Sequence, residues 1–128
     1  MRIRGRLVHG LGEAPGFTQL PWVVEQCRQK LGFEPFPGTV NLDVLPEDLA
    51  MWDELKQQPG IIIEPPDAAF CEAVCQPVTI AGRLEAATIV PLVESYPASK
   101  LELLAPRNVM QELELAFGQE VTISTPGR

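Results

Sequence analysis

Proline and glycine punctuation constrains this chain more than any other feature: 13 prolines and 10 glycines are spread along 128 residues. Proline breaks helices from within and glycine favours tight turns, so short elements joined by turns are expected rather than a helix bundle. The length fits one domain, and residues 1–128 are read as a single unit with no repeat, low-complexity tract or linker.

Period-two alternation marks the strands. In residues 2–8, Arg2, Arg4 and Arg6 fall on one side and Ile3, Gly5 and Leu7 on the other, the signature of a half-buried strand. Thr39–Val44 (TVNLDV) places Val40, Leu42 and Val44 on one face. Ile61–Ile63 reads as a short strand. Phe70–Ile80 and Leu84–Val90 flank Ala81-Gly82-Arg83, a hairpin turn, and Lys100–Leu104 and Glu120–Ser124 complete the set.

Helices are few. Leu20, Val23 or Val24, Cys27 and Leu31 recur at helical spacing after Pro21, and Gly32 suits the left-handed residue beyond a helix end. Pro46-Glu47-Asp48 opens a second helix, with Leu49, Trp52 and Leu55 inward and Pro59-Gly60 stopping it. A third follows Pro106, with Val109, Leu113 and Phe117 inward, and ends at Gly118. Trp22 and Trp52 are expected to pack in the core. Six or seven short strands with two or three short helices suggest a mainly β fold, a small closed barrel that leaves no free edge.

Composition narrows function. Ten Lys+Arg against 17 Asp+Glu give a net charge of −7. Neither duplex nucleic acid nor an anionic membrane is an expected partner. No apolar run approaches the roughly 18 residues of a membrane helix. The basic start, Met1 to Arg6, is not followed by an apolar signal core, so a cytoplasmic protein is expected. Cys27, Cys71 and Cys75, with His9 the one histidine, make a poor zinc set and read as buried thiols.

Three segments carry candidate chemistry. Gly10 to Gly16 (GLGEAPG), between a strand and a helix, suits a loop whose backbone N–H groups hold phosphate. The same composition serves an ordinary connector, and no Walker motif is present. Thr39 and Asn41 share one face of a strand and offer two neutral oxygens to a cation such as Mg²⁺; capping a turn is the alternative. Glu102, between Leu101 and Leu103, is either a hydrogen-bond acceptor or general base, or a solvated carboxylate. His9, just before the glycine loop, is a proton carrier or a plain polar side chain.

Taken together, His9–Phe17 (HGLGEAPGF), Leu31–Leu42 (LGFEPFPGTVNL) and Ile89–Pro106 (IVPLVESYPASKLELLAP) resemble the archaeal-type CTP-dependent riboflavin kinases. The resemblance implies a closed six-stranded cradle-loop barrel of the RIFT type. It implies transfer of the CTP γ-phosphate to the terminal ribityl hydroxyl of riboflavin, giving FMN and CDP. It further implies nucleotide contacts from Gly10, Leu11, Gly12, Glu13, Ala14 and Pro15 and from Arg107, Asn108, Val109 and Met110. Mg²⁺ or another divalent cation would be held by Thr39 and Asn41. Flavin contacts would come from Glu94 and Glu102, with Glu102 the catalytic candidate. Glu94 stands where that family carries a threonine. A monomer with small-molecule substrates is expected. The alternative is a relative with the same barrel that binds flavin or nucleotide as a sensor or carrier, without turnover.

Overall fold

The computed structural model describes residues 1–10 and 14–126. Seven strands are present: β1 (Arg2–Val8), β2 (Val40–Val44), β3 (Ile61–Ile63), β4 (Ala73–Ile80), β5 (Leu84–Pro91), β6 (Lys100–Leu104) and β7 (Glu120–Ser124). All pairings are antiparallel. The order β4-β5-β6-β2-β1-β7 closes on itself where β7 returns to β4 through Thr79↔Ser124 and Ile80↔Ile123. The expected six-stranded closed barrel is therefore present. β3 lies outside it, paired to β4 alone.

One edge of β4 serves two partners. Its first residues pair with β3 and its last two with β7. Pro77 falls between these stretches, where a residue lacking N–H interrupts neither ladder. The β4–β5 hairpin turns at Ala81 (φ 52°) and Gly82 (φ 66°), with the Arg83 N–H donating to the Ile80 carbonyl at 3.0 Å, as the Ala-Gly-Arg signal indicates.

Alternation along the strands sorts two apolar clusters. Ile3, Leu7, Leu42, Val44, Val78, Ile80, Leu101, Leu103 and Ile123 fill the barrel, and Trp52 and Leu55 pack against them. Residues of opposite parity, Ala73, Cys75, Ala87, Ile89 and Leu104, form a second cluster with Val23 and Cys27. The sheet β4-β5-β6 is thus apolar on both faces, one turned into the barrel and one covered by helix.

The described residues hold four helices rather than two or three: α1 (Ala14–Thr18), α2 (Pro21–Gln26), α3 (Leu49–Gln57) and α4 (Val109–Glu112). The extra one, α1, occupies the end of the segment read as a glycine loop. Pro15 is in its first turn, where a missing N–H leaves no intrahelical bond unmade. The helix expected over 20–31 is α2 followed by a wider turn, Cys27–Leu31, closed by the Gly32 N–H donating to the Cys27 carbonyl at 3.0 Å. Gly32, with φ 84°, is the left-handed terminator anticipated. α3 is preceded by a tight turn at Pro46–Asp48, whose Asp48 carboxylate accepts from the Arg4 backbone N–H (2.8 Å) and Nε (2.9 Å).

Four further expectations are corrected. β4 starts at Ala73, not Phe70; Phe70 is exposed and meets Trp22 edge to face at 5.4 Å. Trp22 is accordingly half-buried, whereas Trp52 is fully enclosed and donates Nε1–H to the Lys100 carbonyl. Cys71 is exposed, while Cys27 and Cys75 are buried as expected. Phe117 is not inward: α4 ends at Glu112, Glu114 takes φ 54°, and the ring emerges at the surface. Among the described residues no helix is long and apolar enough to cross a membrane.

Candidate active site

Strand register assembles the centre of the site. Asn41 of β2 stands opposite Val8 of β1 and Glu102 of β6. Leu42 and Leu101 point into the barrel, so Asn41 and Glu102 share the other face. Thr39, two residues before Asn41, reaches the same face at a diagonal position. Glu102 lies 63 positions beyond Thr39 in the chain, and pairing alone makes them neighbours.

A chain of hydrogen bonds fixes them. The Thr39 hydroxyl donates to Glu102 Oε2 at 3.0 Å. The Tyr96 hydroxyl donates to Glu102 Oε1 at 2.9 Å, and Lys100 Nζ stands 3.6 Å from the same oxygen. Asn41 Nδ2 donates to the Thr39 carbonyl (3.2 Å) and hydroxyl oxygen (3.3 Å). Burial, followed by the neighbouring Glu102 charge and hydrogen bond, pushes the Tyr96 hydroxyl far above its ordinary pKa, so it stays a donor.

The segment before β2 is pinned as tightly. Gly38 has φ 97°, on the side of conformational space that favours glycine, and its N–H donates to the buried Thr18 hydroxyl at 2.8 Å. The Phe36 N–H donates to the Ala105 carbonyl at 2.7 Å. Gly10 meets Asn41 so closely that a Cβ there would lie 2.5 Å from Asn41 Nδ2. Any larger residue at that position would displace the Asn41 amide.

Beside this row lies a pocket of about 180 Å³. Thr39, Asn41, His9 and Gly10 line one side, and Arg107, Asn108, Val109 and Met110 another. Gly10, the Thr39–Asn41 pair and the stretch Arg107 to Met110 therefore meet at one pocket. Within the last of them Asn108 Oδ1 is already used, accepting from the Gln111 N–H to cap α4, and Arg107 pairs with Glu112 at 2.8 Å. The Arg107 pair is exposed on both sides and so is weakly held.

Other expectations separate from the pocket. Glu102 does not line it, and its carboxylate is linked to the lining through the Thr39 hydroxyl. Glu94 is exposed in the turn after β5 and is not part of the lining. Leu11, Gly12 and Glu13 lie outside the described residues, and Ala14 and Pro15 contribute the opening backbone of α1. Sequence reading misses Tyr96 and Thr18. Tyr96 carries one available signal, as the single tyrosine of the chain, six residues before Glu102.

The donor set fits a hard cation shared with phosphate. Because the Thr39 proton is committed to Glu102, and one lone pair to Asn41, the hydroxyl oxygen retains a lone pair for a cation. The Asn41 carbonyl oxygen is the second neutral donor. Among the described residues no group of three or more His, Cys, Asp or Glu stands together, so the remaining ligands would be phosphate and water, as Mg²⁺ prefers.

Comparison with known proteins places the chain among archaeal relatives. The chain is 33% identical over 126 residues to riboflavin kinase of Archaeoglobus fulgidus, covering 96% of this chain and 54% of that protein. It is 32% identical over 124 residues to riboflavin kinase of Methanosarcina acetivorans (94% and 52%) and 31% identical over 128 residues to that of Sulfolobus acidocaldarius (96% and 80%). It spans about half the length of the first two. A family model, CTP-dep_RFKase, described as a domain of unknown function (DUF120), matches residues 7–125. With a closed barrel, a match from β1 to the end of β7 and archaeal relatives along almost its whole length, the chain belongs to the CTP-dependent riboflavin kinase family.

Proposed function

We propose that this chain phosphorylates riboflavin, using CTP as donor and releasing FMN and CDP. The observation that carries the reading is the convergence of Gly10, Thr39, Asn41 and Arg107–Met110 on one pocket, with Glu102 tied to Thr39 at its edge. The family's name and the names of its archaeal relatives support the substrate assignment.

Phosphoryl transfer is mainly positioning and charge neutralisation, which suits a chain with few basic residues. The ribityl hydroxyl oxygen bonds to the γ-phosphorus as the bond from that phosphorus to the β–γ bridging oxygen breaks; the hydroxyl proton is released. Thr39 and Asn41 would hold Mg²⁺, which supplies charge neutralisation across the phosphates when bound. Gly10 lets the chain pass close to Asn41. Glu102, with Tyr96 and Thr39 on separate oxygens, is a rigid acceptor that orients the flavin hydroxyl and takes up its proton late.

Transfer of label from γ-³²P CTP to riboflavin tests this, with wild type and Asn41→Ala over a series of divalent cations. FMN is expected from wild type and at least about a hundredfold less from the variant. No labelled FMN from wild type with any cation would defeat the proposal.

A further inference from the structure

Phe117 stands at the pocket mouth with 46% of its surface exposed, and it packs in neither apolar cluster. It lies face to face with His9, ring centroids 3.5 Å apart and planes 25° from parallel. Phe36, also lining the pocket, is 44% exposed. Isolated exposed apolar residues need no explanation, but exposed aromatic rings gathered around one pocket do.

We propose that the His9–Phe117 stack is the platform on which the base of the nucleotide lies. The inference rests on the phosphotransfer reading and adds the base-binding residues to it. A flat π-face in one pocket with Gly10 and Arg107 suits a nucleotide, because base–aromatic stacking contributes affinity for any base. Placement assigns the ring to the donor and not to the flavin. His9 and Phe117 share the pocket with Gly10 and Arg107, whereas Glu102 and Tyr96 lie beyond Thr39, outside it. A stack reads the face of a base and not its edge. The pair therefore sets nucleotide affinity and leaves the choice of cytosine to other contacts.

Calorimetry with CDP, with pyrophosphate as the base-free control, and with riboflavin tests the platform. Phe117→Ala and Phe117→Leu should each weaken CDP about tenfold, Phe117→Tyr should restore it, and pyrophosphate and riboflavin should be unaffected. His9→Ala, which spares Phe117, should weaken CDP about threefold and serves as the readout if the Phe117 variants do not fold. Unchanged CDP affinity in the folded variants overturns the platform alone. Equal losses for CDP and pyrophosphate overturn it too, by placing the effect on the phosphates. A wild-type protein that binds no CDP removes the phosphotransfer reading as well.

Discussion

The strand-borne half of the site and its loop-borne half are held by different forces. Asn41 and Glu102 are set by register on β2 and β6, and Thr39, immediately before β2, is tied to both by hydrogen bonds, with Tyr96 on Glu102. Asn41 retains only 7% of its surface. Opposite them, His9, Gly10, Arg107 and Phe117 are exposed, on connections between elements, and their partners are an exposed ion pair and a ring stack. The contrast teaches where precision is needed. On the proposed function, the groups that would hold a cation and a hydroxyl in fixed geometry are the rigid ones, while those that would receive a flexible triphosphate stand on loops.

Thiol chemistry gives the widest separation between sheet and loop. Burial raises the Cys27 thiol to about 11; burial and then the neighbouring Cys27 raise Cys75 to about 12. A thiol reagent at pH 8 should label Cys71 first and the other two about a hundredfold more slowly, since thiolate is the reactive form. Comparable labelling of all three by peptide mapping would mean that the second cluster opens readily.

Next in size is Gly10→Ala. Its Cβ would force the Asn41 amide away from Thr39, and turnover should fall about a hundredfold while the melting temperature changes little. A variant with wild-type turnover would show that the loop moves without disturbing the strand half. Tyr96→Phe removes one of the donors to Glu102 and should lower kcat/KM for riboflavin about tenfold, leaving CDP affinity intact. Equal losses for riboflavin and CDP would erase the boundary drawn at Thr39. Glu102→Gln should follow the same division.

Smaller still is the pH effect at the Arg4–Asp48 pair. The hydrogen bonds from Arg4 hold the Asp48 carboxyl below its ordinary value. Its stabilisation is thus complete above pH about 4 and is lost as pH falls through the lowered value. The melting-temperature gap between wild type and Asp48→Asn should be open at pH 6 and narrow towards pH 2; a gap independent of pH would discount the charge. Glu94→Thr should produce the least change. Glu94 is exposed, so water screens its repulsion of an FMN phosphate, and affinity should rise only a few-fold. A gain of about a hundredfold would place Glu94 against the phosphate.

Local signals are legible in the order of residues itself. The alternation of Ile3, Gly5 and Leu7, the left-handed Gly32, the Ala81-Gly82 turn and the shared face of Thr39 and Asn41 all follow from chain geometry over a few residues. What escapes depends on distant pairing. Nothing near Tyr96 announces Glu102 as its acceptor, and nothing near Thr18 announces Gly38. α1 is concealed by Pro15 and Gly16, which suit a loop but are tolerated in a short first turn. Phe117 misleads because helical spacing from Val109 continues along the sequence after the helix has ended at Glu112.

The seam between β1 and β7 has a consequence for synthesis. Ile3 pairs with Ile123, and the Met1 amino group donates to Thr125 Oγ1 at 2.9 Å. On a ribosome the first of these strands emerges long before its neighbour. Until β7 is released, β1 and the end of β4 are bare edges facing one another across an open wall, so the nascent chain has two adhesive borders that β7 alone joins.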